Sequence, residues 1–255
     1  MSLLQGKTAL VLGVANKWSI AYAIAQAFRR EGATLLLTYQ GERLKRSVEE
    51  LGAELGAAKV IQCDVSKDEE LAALASTLGP EFPKIDVVVH SIAFANAEDL
   101  SRPFSETSRD GFKLAHEVSA WSLVGVAKAV APLMTDGGAI MTLTYLGAVR
   151  VLENYNVMGV AKAALESSVR YLAAEFGAKN IRVNAISAGA IKTAAARGIK
   201  DFSKMLEVVA SRSPMRRNCT PAEVADTAVF LGSDLGRGVT GNTIYVDAGY
   251  QIMAL

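Results

Sequence analysis

Seven apolar, strand-like runs alternate with helical patterns along the chain, and this alternation constrains the fold more than any other feature of the sequence. Such alternation is typical of a parallel sheet with helical crossovers. The runs are continuously apolar, as expected when helices cover both faces of the sheet. We predict a single-domain α/β protein with a Rossmann-type, doubly wound parallel sheet, whose strands are Lys7–Gly13, Thr34–Tyr39, Lys59–Cys63, Ile85–Ser91, Ala139–Thr144, Ile181–Ser187 and Thr243–Val246.

Length and charge narrow the class of protein. The 255 residues, of which 51% are hydrophobic, suffice for one large domain over 1–255. The 27 Lys and Arg residues nearly balance the 26 Asp and Glu residues, so neither nucleic acid nor an anionic membrane is an expected partner. The first apolar stretch is too short for a signal peptide, and Cys63 and Cys219 lack a metal-ligand spacing. We therefore expect a cytoplasmic protein without a metal site.

The junction after the first strand is a candidate site for a cofactor, because ligands of doubly wound sheets bind at the carboxyl ends of the strands. Gly13 allows a tight turn, Ser19 is placed to cap the following helix, and Ile20 begins that helix. Amides at a helix start bind pyrophosphate. A turn glycine and a capping serine are also ordinary loop chemistry, and the G-x-G-x-x-G pattern is absent. This junction alone does not identify a nucleotide site.

Later strands end in residues suited to the rest of a dinucleotide. Asp64, after the third strand, is placed to accept a hydrogen bond from an adenine amino group, with Val65 packing on the ring. Its alternative role is to cap a helix. The small run Ser91-Ile92-Ala93, after the fourth strand, permits close approach of a ribose. His90 is expected to make a hydrogen bond in the core rather than to take part in chemistry.

Tyr145, Tyr155 and Lys162 are the candidate catalytic residues. The step from Tyr155 to Lys162 corresponds to about two helical turns, which directs both side chains into one groove. Tyr145 ends the fifth strand, where it either lines the substrate site or packs as an ordinary aromatic residue. A phenol and an ammonium that share a groove indicate a reductase.

The motifs together resemble those of enoyl-acyl carrier protein reductase, a divergent short-chain dehydrogenase/reductase of bacterial fatty acid synthesis. The resemblance runs from Lys7 to Met253 and rests on Gly13 with Ser19-Ile20-Ala21, Asp64-Val65, Ser91-Ile92-Ala93, Tyr145, Asn154 to Lys162 and Asn184 to Gly189. Ordinary members of the superfamily carry Tyr-x-x-x-Lys. Here Met158 occupies that tyrosine position and the phenol lies three residues earlier, at Tyr155. Lys17 and Ser19 also stand where glycines are usual.

The resemblance implies a reaction and a role for each catalytic residue. NADH is expected to deliver a hydride to C3 of a trans-2-enoyl thioester on acyl carrier protein, the final reductive step of fatty acid elongation. Tyr155 is expected to hydrogen-bond the thioester oxygen and supply its proton, while Lys162 binds the nicotinamide ribose and lowers the pKa of Tyr155. In this reaction the negative charge develops two carbons beyond the carbon that the hydride attacks. The hydrogen-bond donor should move accordingly, which explains chemically why the phenol is displaced.

A substrate-covering segment is expected over about 190–206. By the same resemblance, Ile191 and Thr193 hold the nicotinamide carboxamide and the phosphates. The walls for the acyl chain are predicted from apolar residues in this segment and in neighbouring loops, although helical spacing would also bury such residues as core. These wall residues are Phe94, Ala95, Leu100, Met158, Ala195, Ala196, Ile199 and Phe202.

The end of the second strand bears on the choice of cofactor. Gln40 ends that strand without the carboxylate that usually binds ribose hydroxyls, and Glu42 disfavours an additional phosphate. NADH is therefore expected rather than NADPH. Three basic residues favour NADPH if their helix turns toward the ribose, and otherwise form a solvated face: Arg43, Lys45 and Arg46.

Two other functions remain open on the sequence alone. A short-chain ketoacyl or alcohol dehydrogenase needs a phenol where Met158 stands. A nonenzymatic dinucleotide-binding regulator has no need of Tyr155 paired with Lys162. Long apolar helices predicted over 108–133 and 155–176 resemble those that join subunits in the superfamily, so a homotetramer is expected. The alternative is that their apolar faces only cover the sheet.

Overall fold

A seven-stranded, all-parallel sheet organises the protein, with strand order β3-β2-β1-β4-β5-β6-β7. The computed structural model describes residues 2–193 and 202–253. The strands are β1 (Thr8–Leu12), β2 (Thr34–Tyr39), β3 (Lys59–Gln62), β4 (Val87–His90), β5 (Gly138–Thr144), β6 (Ile181–Ala188) and β7 (Thr243–Val246). The helices are α1 (Ile20–Arg30), α2 (Glu42–Leu55), α3 (Asp68–Leu78), α4 (Ala97–Ser101), α5 (Arg109–His116), α6 (Ser122–Val130), α7 (Asn156–Phe176), α8 (Phe202–Arg212) and α9 (Pro221–Gly232).

Both faces of the sheet are buried, which explains the continuous apolar runs in the strands. In β1, Ala9 and Val11 pack with residues of α1, α2 and α9 on one face. Leu10 and Leu12 pack with residues of α3, α6 and α7 on the other. Successive side chains of a strand point to opposite faces, so a strand covered twice needs apolar residues at consecutive positions. The predicted fold class is confirmed.

The predicted boundaries differ from the structure in small ways. β4 begins at Val87 rather than at Ile85, because the Ile85 amide donates to the carbonyl of Leu133, outside the ladder between the strands. The long helix predicted over 108–133 is divided. A five-residue stretch of π-helix, Glu117–Trp121, separates α5 from α6.

Both cysteines pack inside the protein. Cys63 and Cys219 are free and buried, and burial raises the pKa of Cys63 to about 12. No helix in residues 2–193 or 202–253 combines the length and apolarity needed to cross a bilayer. Within the same residues, His, Cys, Asp and Glu side chains do not cluster in a way that suits a metal ion.

Gly13 lets the ends of β1 and β4 approach each other closely. Its φ is +98°, a conformation that residues with a side chain rarely adopt. A Cβ at this position would lie 2.0 Å from the backbone oxygen of Ser91. Since β1 and β4 are the strands at which the sheet order reverses, this glycine shapes the crevice where ligands of such folds bind.

Replacing Gly13 by Ala should destabilise the protein more than replacing Gly6 by Ala. Gly6 also has a positive φ, of +75°, but an added Cβ there meets no atom within 4 Å. The Gly6→Ala variant thus isolates the backbone cost, about 1 kcal/mol, and Gly13→Ala adds the clash with Ser91. Urea denaturation measures both free energies of unfolding. Equal losses would show that the approach of Ser91 imposes no constraint.

Candidate functional site

A cavity of about 1080 Å³ opens at the carboxyl ends of the strands and includes the ends of β1 and β4. All predicted site residues that the structure describes line it: Gly13, Ser19, Ile20, Gln40, Asp64, Val65, Ser91, Ile92, Ala93, Phe94, Ala95, Leu100, Tyr145, Tyr155, Met158, Lys162, Ile191, Thr193 and Phe202. The other predicted wall residues, Ala195, Ala196 and Ile199, lie outside the described residues, as does the middle of the predicted 190–206 segment.

Ser19 begins α1 in the way predicted from sequence. Its hydroxyl accepts a hydrogen bond from the Tyr22 amide at 3.2 Å and donates to the carbonyl of Asn16 at 2.8 Å. The positive end of the α1 dipole therefore faces the cavity beside Gly13 and Ile20. A helix start of this kind suits the phosphates of a nucleotide.

Gln40 and Asp64 meet across the ends of β2 and β3. The Gln40 amide donates to the Asp64 carboxylate at 3.3 Å, and Ser66 donates to it from both its amide and its hydroxyl. Burial alone raises the pKa of Asp64, but the hydrogen bonds from Ser66 and Gln40 and the charge of Lys67 outweigh burial and lower it. Asp64 is therefore an ionised acceptor. It does not cap α3, whose N-cap position is Lys67.

The two predicted tyrosines pack edge to face. The ring centroids of Tyr145 and Tyr155 lie 5.1 Å apart at an angle of 74°. Tyr145 follows β5, and Tyr155 occupies the N-cap position of α7. Burial raises the pKa of both phenols, and for Tyr155 the neighbouring Tyr145 adds to the effect. Both residues keep their protons near neutral pH and are available as hydrogen-bond donors.

Lys162 is buried in the second turn of α7, with 5% of its surface exposed. Its ammonium donates to the backbone oxygen of Leu143 at 2.7 Å. Burial lowers the pKa of Lys162 to about 8, although the charge of Glu166 opposes the shift. The pKa of Tyr155 is raised overall, because desolvation of the phenol dominates and Tyr145 adds to its effect.

His90 has the structural role predicted for it. Its ring is fully buried between the Thr142 hydroxyl, 2.9 Å from Nδ1, and the Ser122 hydroxyl, 2.8 Å from Nε2. Burial, aided by the charge of Lys162, lowers the pKa of His90 to about 3. The ring stays neutral and joins β4 to β5 and α6.

Sequence reasoning missed Glu166 and Asn156, two residues of α7 that contact the site. Glu166 is buried and accepts a hydrogen bond from the Thr144 hydroxyl at 2.8 Å, at the end of β5. Its spacing of four from Lys162 was a signal for a shared helix face. Asn156 donates to two backbone carbonyls of distant residues. No local pattern reveals such partners.

Comparison with known proteins places this geometry in a family. Residues 13–251 match the family described as Enoyl-(Acyl carrier protein) reductase. The enoyl-[acyl-carrier-protein] reductase [NADH] of Bacillus cereus is 55% identical, over 99% of this chain and 100% of that protein. The Escherichia coli protein of the same name is 50% identical, over 100% of this chain and 98% of that protein.

Solved structures agree with the sequence comparison. The crystal structure of the Bacillus cereus reductase with NADP+ and indole naphthyridinone superposes with a TM-score of 0.98 and 55% identity, and all of each chain is covered. The NADH-dependent reductase of Aquifex aeolicus gives a TM-score of 0.96 at 46% identity, with 99% of each chain covered. The similarity therefore extends over the whole length of the chain.

The pKa of Lys162 predicts how stability changes at alkaline pH. Between about 8 and the ordinary value of 10.5, the unfolded chain binds more protons than the folded chain. The free energy of unfolding should therefore rise through this window, with about 3 kcal/mol attributable to Lys162. Below pH 8 the burial cost is fully present. Urea denaturation of wild type and Lys162→Met from pH 7.5 to 10.5 isolates the effect, and a constant difference between them contradicts it.

Proposed function

The chain belongs to the enoyl-[acyl carrier protein] reductase family, and we propose that it reduces the C2=C3 double bond of a trans-2-enoyl thioester on acyl carrier protein, with NADH as the hydride donor. The observation that carries this proposal is the placement of Tyr155 and Lys162 in one cavity at the carboxyl ends of the strands. The family and the reductase activity predicted from sequence are confirmed by the relatives.

The residues around the cavity fit a nicotinamide dinucleotide. Gly13 lets the ends of β1 and β4 approach each other beside the cavity, and Asp64 is an ionised acceptor at the ends of β2 and β3. When bound, NADH supplies the hydride. Glu42 and Arg43 both line the cavity, so the charges there oppose one another. The names of the relatives state NADH, although the Bacillus cereus structure contains NADP+.

Tyr155 is proposed to stabilise the charge that develops on the thioester oxygen. Its raised pKa keeps the phenol protonated, so it donates a hydrogen bond and is the source of the proton that the oxygen takes up. Tyr145 packs against the Tyr155 ring and fixes its orientation. Donors that are oriented before the reaction need no reorganisation when the charge appears.

Lys162 is proposed to bind the ribose hydroxyls and to supply positive potential. The carbonyl of Leu143 orients its ammonium, and Glu166 favours its charged form. Ile191 and Thr193 line the same cavity and are proposed to hold the carboxamide and the phosphates. The apolar walls include Leu100, Met158 and Phe202.

The alternative activities fit the site less well. Met158 lines the cavity where a ketoacyl or alcohol dehydrogenase has its phenol. A thioether cannot donate a hydrogen bond to a developing oxyanion. A dinucleotide-binding regulator without turnover gives no reason to bury an ammonium, and so to lower its pKa, in the same cavity as two phenols.

We further propose that the protein acts in the cytoplasm as a homotetramer. Apolar side chains of α5, the π-helical stretch and α7 are exposed, among them Phe112 at 40%, Trp121 at 46% and Val160 at 38%. Their burial between subunits would remove apolar surface from water. Sedimentation equilibrium tests the tetramer, and a mass of one or two chains would contradict it.

Purified protein should oxidise NADH when crotonyl thioester is added. The rate with NADH should exceed the rate with NADPH. The loss of nicotinamide absorbance measures the rate. Acetoacetyl thioester serves as the comparison substrate, since a ketoacyl reductase turns it over. Absence of turnover with crotonyl thioester refutes the proposal, and turnover with acetoacetyl thioester alone supports the dehydrogenase.

Two substitutions should separate the roles of the catalytic pair. Tyr155→Phe should lower kcat with crotonyl thioester about 100-fold because one donor to the oxyanion is lost, while NADH binding is retained. Lys162→Met should weaken NADH binding as well as turnover. Tyr171→Phe is the matched control, because Tyr171 is 78% exposed and lies outside the cavity. NADH fluorescence titration and steady-state rates measure the two effects, and an unchanged kcat in Tyr155→Phe rejects the assigned role.

A further inference from the structure

Asn156 connects the helix that follows the reactive phenol to the wall of the cavity. It directly follows Tyr155 and is the first residue of α7. Its side-chain amide donates to the backbone oxygen of Leu100 at 3.0 Å and to that of Arg102 at 2.7 Å. These carbonyls lie at the end of α4, whose Leu100 side chain lines the cavity. One side chain thus binds two parts of the site that are distant in sequence.

The wall segment, defined here as residues 94–102, is attached to the protein at several points. Phe94 exchanges two backbone hydrogen bonds with the Ser119 hydroxyl, of 2.9 and 3.0 Å. The buried carboxylate of Asp99 accepts from the amide and hydroxyl of Ser108 at 2.9 and 3.0 Å. Ser108 caps α5 and Ser119 lies in the π-helical stretch that follows it, whereas the hydrogen bonds from Asn156 come from α7. Of the hydrogen bonds named here, those from Asn156 attach the wall segment directly to the helix that begins beside Tyr155.

We propose that Asn156 is a positioning residue that sets the distance between Leu100 and the Tyr155 phenol, and through it the preference for long acyl chains. The inference rests on the proposed function, because it assigns the acyl chain to the Leu100 wall. A chain long enough to reach this wall gains contact with Leu100, while the thioester oxygen stays at the phenol. A crotonyl group ends in a methyl next to its double bond and therefore offers far fewer apolar atoms to that wall.

Asparagine has two properties that this position requires. The backbone at Asn156 has φ +36°, a region that Asn, Asp and Gly tolerate better than other residues. The amide also carries two N–H donors, one for each carbonyl. Aspartate keeps the shape but presents acceptor oxygens to two carbonyl oxygens, and glycine keeps the backbone freedom but removes the side chain. These two variants therefore break the connection without imposing backbone strain.

The test compares dodecenoyl and crotonyl thioesters in wild type, Asn156→Gly and Asn156→Asp. Loss of the two hydrogen bonds should raise KM for the dodecenoyl thioester about 10-fold in each variant, with a much smaller change for the crotonyl thioester. Leu100→Ala should reproduce this selectivity. In the double variant Asn156→Gly with Leu100→Ala, KM for the dodecenoyl thioester should rise by less than the product of the two single increases. The reason is that both substitutions act on one contact.

Asn180→Gly is the matched control. Asn180 has φ +56° and ends the helical region that follows α7, far along the chain from the wall segment. The Asn180→Gly variant should leave KM unchanged for both the dodecenoyl and the crotonyl thioester. The affinity of each variant for NADH, from fluorescence titration, shows whether the protein is folded.

Equal losses for the two thioesters, or full additivity with Leu100→Ala, would overturn the assignment of Asn156. So would an unchanged KM for the dodecenoyl thioester in a variant that binds NADH normally. An inactive wild type points instead to failure of the proposed function. The selectivity for chain length distinguishes positioning from a general loss of stability, which lowers the rate with both substrates alike.

Discussion

Burial of the parallel sheet on both faces determines where this protein can place chemistry. The strands are apolar at consecutive positions, and the helices on either side remove both faces from water. Polar side chains consequently gather where strands end and helices begin. Four residues that each lie one or two positions after the end of a different strand line one cavity: Gly13, Asp64, Ser91 and Tyr145.

Desolvation, more than pairing of charges, sets the protonation of Tyr155, Lys162 and His90. It raises the pKa of the Tyr155 phenol and lowers those of Lys162 and His90, so each shift favours the neutral form. Glu166 counteracts the effect on Lys162. The protein thus combines a phenol that retains its proton with an ammonium whose charge is poised near neutral pH. That difference suits one group to donation and the other to binding.

Much of the fold followed from the sequence because a doubly covered sheet has a strong local signature. The strands Thr34–Tyr39 and Thr243–Val246 agree to the residue. The π-helical stretch Glu117–Trp121 had no such signature, since its residues suit a regular helix equally well. The motif around Tyr155 and Lys162 revealed the family, but their pKa values depend on burial, which appears only when the chain is folded. The same holds for Asn156, whose partners are more than fifty positions away.

The backbone around Tyr155 differs from the regular helix that holds Met158. Asn154 and Asn156 both have positive φ, so the phenol sits at a corner of the chain immediately before α7. Met158, by contrast, lies within the regular helix. Exchanging the side chains at 155 and 158 would move the hydroxyl but leave this corner in place. A hydroxyl at 158 would therefore project from a regular helix, whereas that of Tyr155 projects from a corner that the two asparagines shape.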